Sequence, residues 1–180
     1  MNHINKLVLK IVILVFPLLS GSVISAQEPA GSAVRTSLNI SASAIVVGPD
    51  IDLETISDIQ IVEARRQQDG SSDIYINPVF DPEAGKMRAR GQPGAQIRLS
   101  YLQEMIVARR EGTGSLMFRF EVSGHPGDNQ NESELLDIIE RLVRFSDEGF
   151  FYFWIGGRVD LSQALPGTYE ADFTIEIEYI

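Results

Sequence analysis

The stretch GTYEADFTIEIEYI, Gly167–Ile180, alternates apolar and polar side chains. Phe173, Ile175, Ile177 and Tyr179 fall on one side of an extended chain, and Asp172, Thr174, Glu176 and Glu178 fall on the other. Successive side chains of a strand point to opposite faces, so this period of two predicts a half-buried antiparallel strand. Burying one such side chain contributes about 1.5–3 kcal/mol, while a whole domain is stable by only about 5–15 kcal/mol. The stretch therefore belongs to the core and is no disposable tail.

The same period recurs back along the chain. LNISASAIV, IDLETI, DIQIVE, DIYINPVF, KMRAR, AQIRLSYL, EMIVAR, SLMFRFEV and FFYFWIGGRVDL each read as strands. Between them lie turn signals: Gly48–Pro49–Asp50, QQDGSS with its Asp69–Gly70 step, and DPEAG. Many short strands punctuated by Gly and Pro predict an all-β, immunoglobulin-like antiparallel β-sandwich as one domain over 38–180. One segment breaks the rhythm. In NESELLDIIERLVRF, about 131–145, the residues Leu135, Ile138, Ile139, Leu142 and Val143 recur at helical spacing. Asn131 with Glu134 resembles a capping box, and Asp137–Arg141 and Glu140–Arg144 are acid-before-base pairs at i, i+4. These signals predict one inserted amphipathic helix, packed on the sandwich or covering one of its ends.

The first 26 residues read as a secretory signal peptide: Lys6 and Lys10, the apolar run LVLKIVILVFPLL, then the small residues SGSVISA. Cleavage is expected after Ala26, with Ser25 as the alternative. Lys10 and Pro17 break the apolar run, which is too short to span a bilayer. Residues 27–37, QEPAGSAVRTS, read as a flexible extension. Losing the two signal lysines moves the formal charge from −10 to −12. An acidic chain with no basic cluster beyond Arg65–Arg66 and Arg109–Arg110 argues against nucleic acid as a partner and against membrane insertion after signal cleavage. Cysteine is absent, which removes thiol chemistry and leaves stability to the core. Only His125 remains after the signal, too few histidines for a zinc or copper site within one chain.

The last thirty residues, FYFWIGGRVDLSQALPGTYEADFTIEIEYI, resemble the end of a secreted bacterial family known only as domain of unknown function 4402. NISASAIVV, DLETI and MRARGQPGAQIRLSY fit its earlier parts more loosely, and the segment 124–146 departs from it. The terminal strand also resembles that of chaperone–usher pilus subunits, which carry a penultimate tyrosine and a glycine fourteen residues from the end. Tyr179 and Gly167 occupy those places. That resemblance implies a polymerising surface subunit whose interaction edge comprises Gly167, Phe173, Ile175, Ile177 and Tyr179. Its partners would be itself or a related subunit through strand addition, and a periplasmic chaperone, with 27–47 as donor strand.

Other constellations favour structural readings. The aromatic run Phe150–Trp154 could stack on sugars if exposed, but continuous apolar character marks a buried strand. Gly156–Gly157 reads as a bulge or bend rather than a phosphate loop. GHPGDNQNESE, residues 124–134, gathers oxygen ligands, yet its spacing misses the calcium-loop pattern and a solvated loop is expected. His125 beside Pro126 has no nucleophile motif to serve and reads as a loop residue. Lys86 is the single lysine outside the signal, so at most one lysine–asparagine crosslink could form, and none is expected. No cofactor and no metal are expected. The sequence thus predicts a secreted, non-enzymatic structural or adhesive cell-surface protein, with a monomeric carbohydrate- or protein-binding module as the alternative.

Overall fold

Backbone pairing, strand by strand, follows the period-two segments almost throughout. The computed structural model describes residues 36–47, 50–61, 73–136 and 141–180. The strands are β1 (Thr36–Val47), β2 (Asp52–Ser57), β3 (Ile59–Ile61), β4 (Asp73–Ile76), β5 (Gly85–Arg90) and β6 (Gln96–Tyr101). They continue as β7 (Glu104–Arg109), β8 (Ser115–His125), β9 (Glu134–Leu135), β10 (Arg141–Arg144), β11 (Phe150–Asp160) and β12 (Gly167–Tyr179). The expected signal peptide, most of the expected extension and the QQDGSS turn lie outside the described residues. The first described strand starts at Thr36.

The protein is an all-β sandwich. One layer runs β10-β6-β12, with β1 and then β3 on the far side of β12. The other runs β7-β8-β11-β5-β2, with β4 beside the second half of β11 and β9 beside the end of β8. Strand β12 joins the layers, because Tyr169–Glu170 pair with β7 whereas Ile175–Tyr179 pair with β6. Phe120 of β8 and Phe173 of β12 sit on strands that do not pair, yet their ring centres lie 4.5 Å apart. That contact crosses the interior, where both layers feed a single core. All pairs are antiparallel except β1 with β12, which run parallel for twelve residues from Thr36 opposite Gly167 to Val47 opposite Glu178.

The aromatic run settles into β11 as core on one face and a ladder on the other. Phe151 and Phe153 are buried inward, and Trp154 is only 3% exposed although it points to the outer face. The serines of β8 and the loop before β9 help close that site: the Ser133 hydroxyl donates to Ser123 Oγ at 2.8 Å, and Ser123 Oγ donates to the Pro78 carbonyl at 3.0 Å. Through Gly156–Gly157 the ladder with β8 continues without a bulge. What changes there is the opposite edge, where β11 exchanges β5 for β4 between Ile155 and Gly157. Gly157 has φ 146°, and a side chain on it would overlap the Arg119 carbonyl. Only glycine allows so close an approach.

Among the described residues, the helix predicted at about 131–145 is not present. Gln130–Glu132 makes one 3-10 turn, Glu134–Leu135 pairs with β8, and Arg141–Arg144 pairs with β6; residues 137–140 are outside the described set. Asn131 lies inside the short turn, and the residue that caps it, Asn129, makes no side-chain capping bond. Burial of the final part has period two: Leu142 is exposed, Val143 half-buried and Phe145 buried. The open edge of β6 supplies a row of backbone partners, and Val143 opposite Ile97 suits a pleated surface better than a helix. A few tenths of a kcal/mol per i, i+4 pair cannot compete with that.

Candidate functional site

The five residues expected to form an interaction edge do lie in line on β12, but most of them face inward. Phe173, Ile175 and Ile177 are each 0% exposed. Phe173 touches Tyr101 edge-on at 5.8 Å between ring centres, besides its contact with Phe120. These three side chains are core plugs, and what β12 could offer a partner is backbone rather than side chain.

Gly167 opens the strand with φ 145°, and a Cβ there would come 2.7 Å from Arg109 Nε. The guanidinium of Arg109 crosses directly over this residue, so the glycine is required by the chain's own packing. Tyr179 closes the strand. Its hydroxyl accepts from the Gln92 backbone N–H at 2.9 Å and donates to the Asp50 carbonyl at 3.4 Å, while its ring lies against Phe145 at 6.3 Å. The penultimate tyrosine thus ties together the turn entering β2 and the turn leaving β5.

Both edges of β12 are occupied within one molecule. On one side stand β6 and β7; on the other stands β1, the segment expected to be donated to a neighbour. Leu38, Ile40 and Ala42 of β1 are buried alongside Tyr169, Ala171 and Phe173. Beyond Ile40, strand β3 no longer covers the outer edge of β1, and two side chains take over. The Ala42 N–H donates to Asp58 Oδ1 at 3.2 Å, and Thr55 Oγ1 donates to the Ala42 carbonyl at 2.7 Å. A carboxylate and a hydroxyl here mimic one more strand residue and blunt the edge. Nothing in the alternation of LNISASAIV signals this closure, because it depends on residues thirteen and sixteen positions away.

A second missed feature is the start of β12. The Tyr169 hydroxyl accepts from the Leu165 N–H at 3.0 Å and donates to the Leu165 carbonyl at 3.0 Å, four residues upstream. This local clasp has the geometry of the tyrosine corner found in immunoglobulin-type sandwiches. The GTY signal was visible in the sequence, but the partner was not.

The outer face of β5 and β11 carries a cross-strand ladder of cations and rings. Arg90, Arg88 and Lys86 lie opposite Phe150, Tyr152 and Trp154. The Lys86 ammonium is 5.5 Å from the Tyr152 ring centre and 5.8 Å from that of Trp154; Arg88 and Arg90 approach Phe150 at 5.5 and 5.9 Å. Lys86 also pairs with Asp128 at 2.5 Å, so that acid is engaged by a cation, and Arg88 pairs with Glu54. The Glu54 hydrogen bond raises the already high pKa of Arg88 further. The Tyr152 and Trp154 rings stack at 27° and 6.3 Å, and Trp154 is only 3% exposed. His125 Nδ1 accepts from the Gly127 N–H at 2.9 Å and sits at the end of β8 opposite Tyr152. Among the described residues no three His, Asp or Glu side chains converge as metal ligands, and no helix is long and apolar enough to cross a membrane.

Surface clefts open among the described residues. One, of about 490 Å³, is lined by Asn39, Ser41, Asp58, Glu170 and Asp172. Another, of about 350 Å³, lies between Asp50, Ile51, Asp52, Arg90 and Gly91. No protein-family model matches the sequence, and no curated protein matches it either.

Proposed function

We propose that this is a secreted, non-enzymatic structural protein of the bacterial cell surface that assembles by strand addition, with β12 as acceptor and β1 as the strand exchanged. The observation that carries the reading is the parallel pairing of β1 with β12 along its whole length, against only three residues paired with β3. A strand held mainly by the last one can leave by giving up its pairing with β12 and β3 alone. Its removal would open twelve residues of β12 backbone and a slot where Leu38, Ile40 and Ala42 had been buried. Such an edge invites an identical strand from another copy. The resemblance of the terminal strand to pilus subunits supports the same reading, and so does the resemblance to the secreted family of unknown function. In the cis-paired form described above the slot is filled, so assembly requires β1 to leave its own sandwich; a chaperone that occupies β12 in the interval is the partner this implies.

The test uses two chains, one from Gln27 and one from Asp50, which lacks β1. A synthetic peptide of residues 36–47 is the third component. Strand addition requires the peptide to bind the shorter chain and restore its cooperative unfolding, and the longer chain to form filaments or ladders visible by electron microscopy. A peptide that fails to bind, together with a longer chain that stays monomeric at every concentration, would remove the proposal.

A further inference from the structure

We propose that the 350 Å³ cleft between Asp50, Asp52, Arg90 and Gly91 is a binding site for a neutral saccharide. The volume falls at the lower end of the range for small-molecule sites. Its walls are unusually fixed for a surface feature. Asp50 holds the left-handed conformation at φ 72°, which is rare outside glycine. Its carbonyl accepts from the Tyr179 hydroxyl, which in turn accepts from the Gln92 N–H, so one side chain pins both rims. Gly91 also lines the cleft. A Cβ there would meet Phe145 at 2.5 Å and Tyr179 Oη at 2.6 Å, so a bare backbone is the only fit.

The chemistry of the cleft is left unsatisfied inside the molecule. Asp52 stands directly opposite Arg90 in the β2–β5 ladder, where opposite charges ordinarily join. Arg90 instead swings against the Phe150 ring, and among the described residues no carboxylate lies within ion-pair distance of it. Its neighbours on the same strand do pair, Arg88 with Glu54 and Lys86 with Asp128. One arginine and two exposed aspartates therefore line the same cleft. A simple cation would meet the guanidinium, and a simple anion would meet the carboxylates. A ligand that both donates and accepts at adjacent atoms satisfies all three, and a pair of vicinal hydroxyls does so without bringing a charge that must be desolvated. Hydroxyls would donate to Asp50 and Asp52 and accept from Arg90, with charge assistance at each. This inference does not rest on strand addition, because the cleft is complete in a single copy.

The experiment is a titration of the intact, isotope-labelled protein with glucose, galactose, mannose and N-acetylglucosamine, followed by amide NMR. Glycine and lysine serve as zwitterionic probes and sodium sulfate as an anionic one. At least one sugar is expected to shift the Ile51, Asp52 and Gly91 signals saturably. Asp52→Asn and Arg90→Gln should each weaken that binding by about tenfold, the loss of one charge-assisted hydrogen bond, with unchanged melting temperature. The assignment is overturned by no saturable shift with any of the four sugars, by variants that bind as tightly as the parent, or by saturation with the amino acids or sulfate instead. A protein that binds sugar but fails both strand-addition tests above would sink strand addition and leave the cleft standing.

Discussion

Two tyrosines show how much a single hydroxyl decides. At Tyr169 it satisfies both the N–H and the carbonyl of Leu165 at the bend entering the last strand. Tyr169→Phe should therefore destabilise the fold by about 1–2 kcal/mol, near the value of a net hydrogen bond or a little above it. Urea unfolding would register this as a lower midpoint with an unchanged slope; a midpoint equal to the parent's would mean that water replaces the clasp. At Tyr75 the hydroxyl donates to Glu121 Oε2 at 2.9 Å, and Arg158 stacks on the ring at 4.4 Å. Desolvation, then the hydrogen bond and charge of Glu121, raise its pKa above the ordinary 10.0, with Arg158 opposing. A raised folded value means that the neutral phenol is favoured in the native state. Its contribution to stability is present in full below pH 10.0 and is lost as pH rises through the higher folded value. Spectrophotometric titration should show a late-ionising component that is lost in Tyr75→Phe and shifted down in Glu121→Gln; an unshifted curve in Glu121→Gln would contradict the second cause.

At the scale of elements, the segment 131–145 separates local preference from tertiary pairing. Its apolar spacing and charge pairs favour a helix where no strand edge competes. In the folded protein Arg141–Arg144 is claimed by the edge of β6, and Phe145 is buried against Tyr179. A synthetic peptide covering 131–145 has no such edge. Its circular dichroism should show more helix than strand at low temperature; a strand-like spectrum would mean that the local sequence already prefers the extended form. Elements with strict alternation left no such competition. Twelve residues of β12 keep one register with β1 because a slip of one would turn Phe173, Ile175 and Ile177 into solvent. The glycine pair in β11 was legible as a special site, but its task was not. An exchange of edge partners from β5 to β4 is a property of three strands at once.

For the whole molecule, the sequence by itself determined the all-β class, nearly every strand, and the burial of Phe151, Phe153 and the inner face of β12. Those features follow from side-chain periodicity and the hydrophobic effect, which act on each stretch separately. Only the tertiary structure decided which strands are neighbours. The parallel pairing of β1 with β12 joins residues 131 positions apart, and no local signal encodes it. The strand form of 141–144, the side-chain closure of the β1 edge, and the cleft that leaves Arg90 facing Asp52 unpaired were decided in the same way. Backbone hydrogen bonds and charge contacts form between whichever groups the finished packing brings together. Period and composition record what each residue prefers, while neighbours across the sandwich decide what it touches.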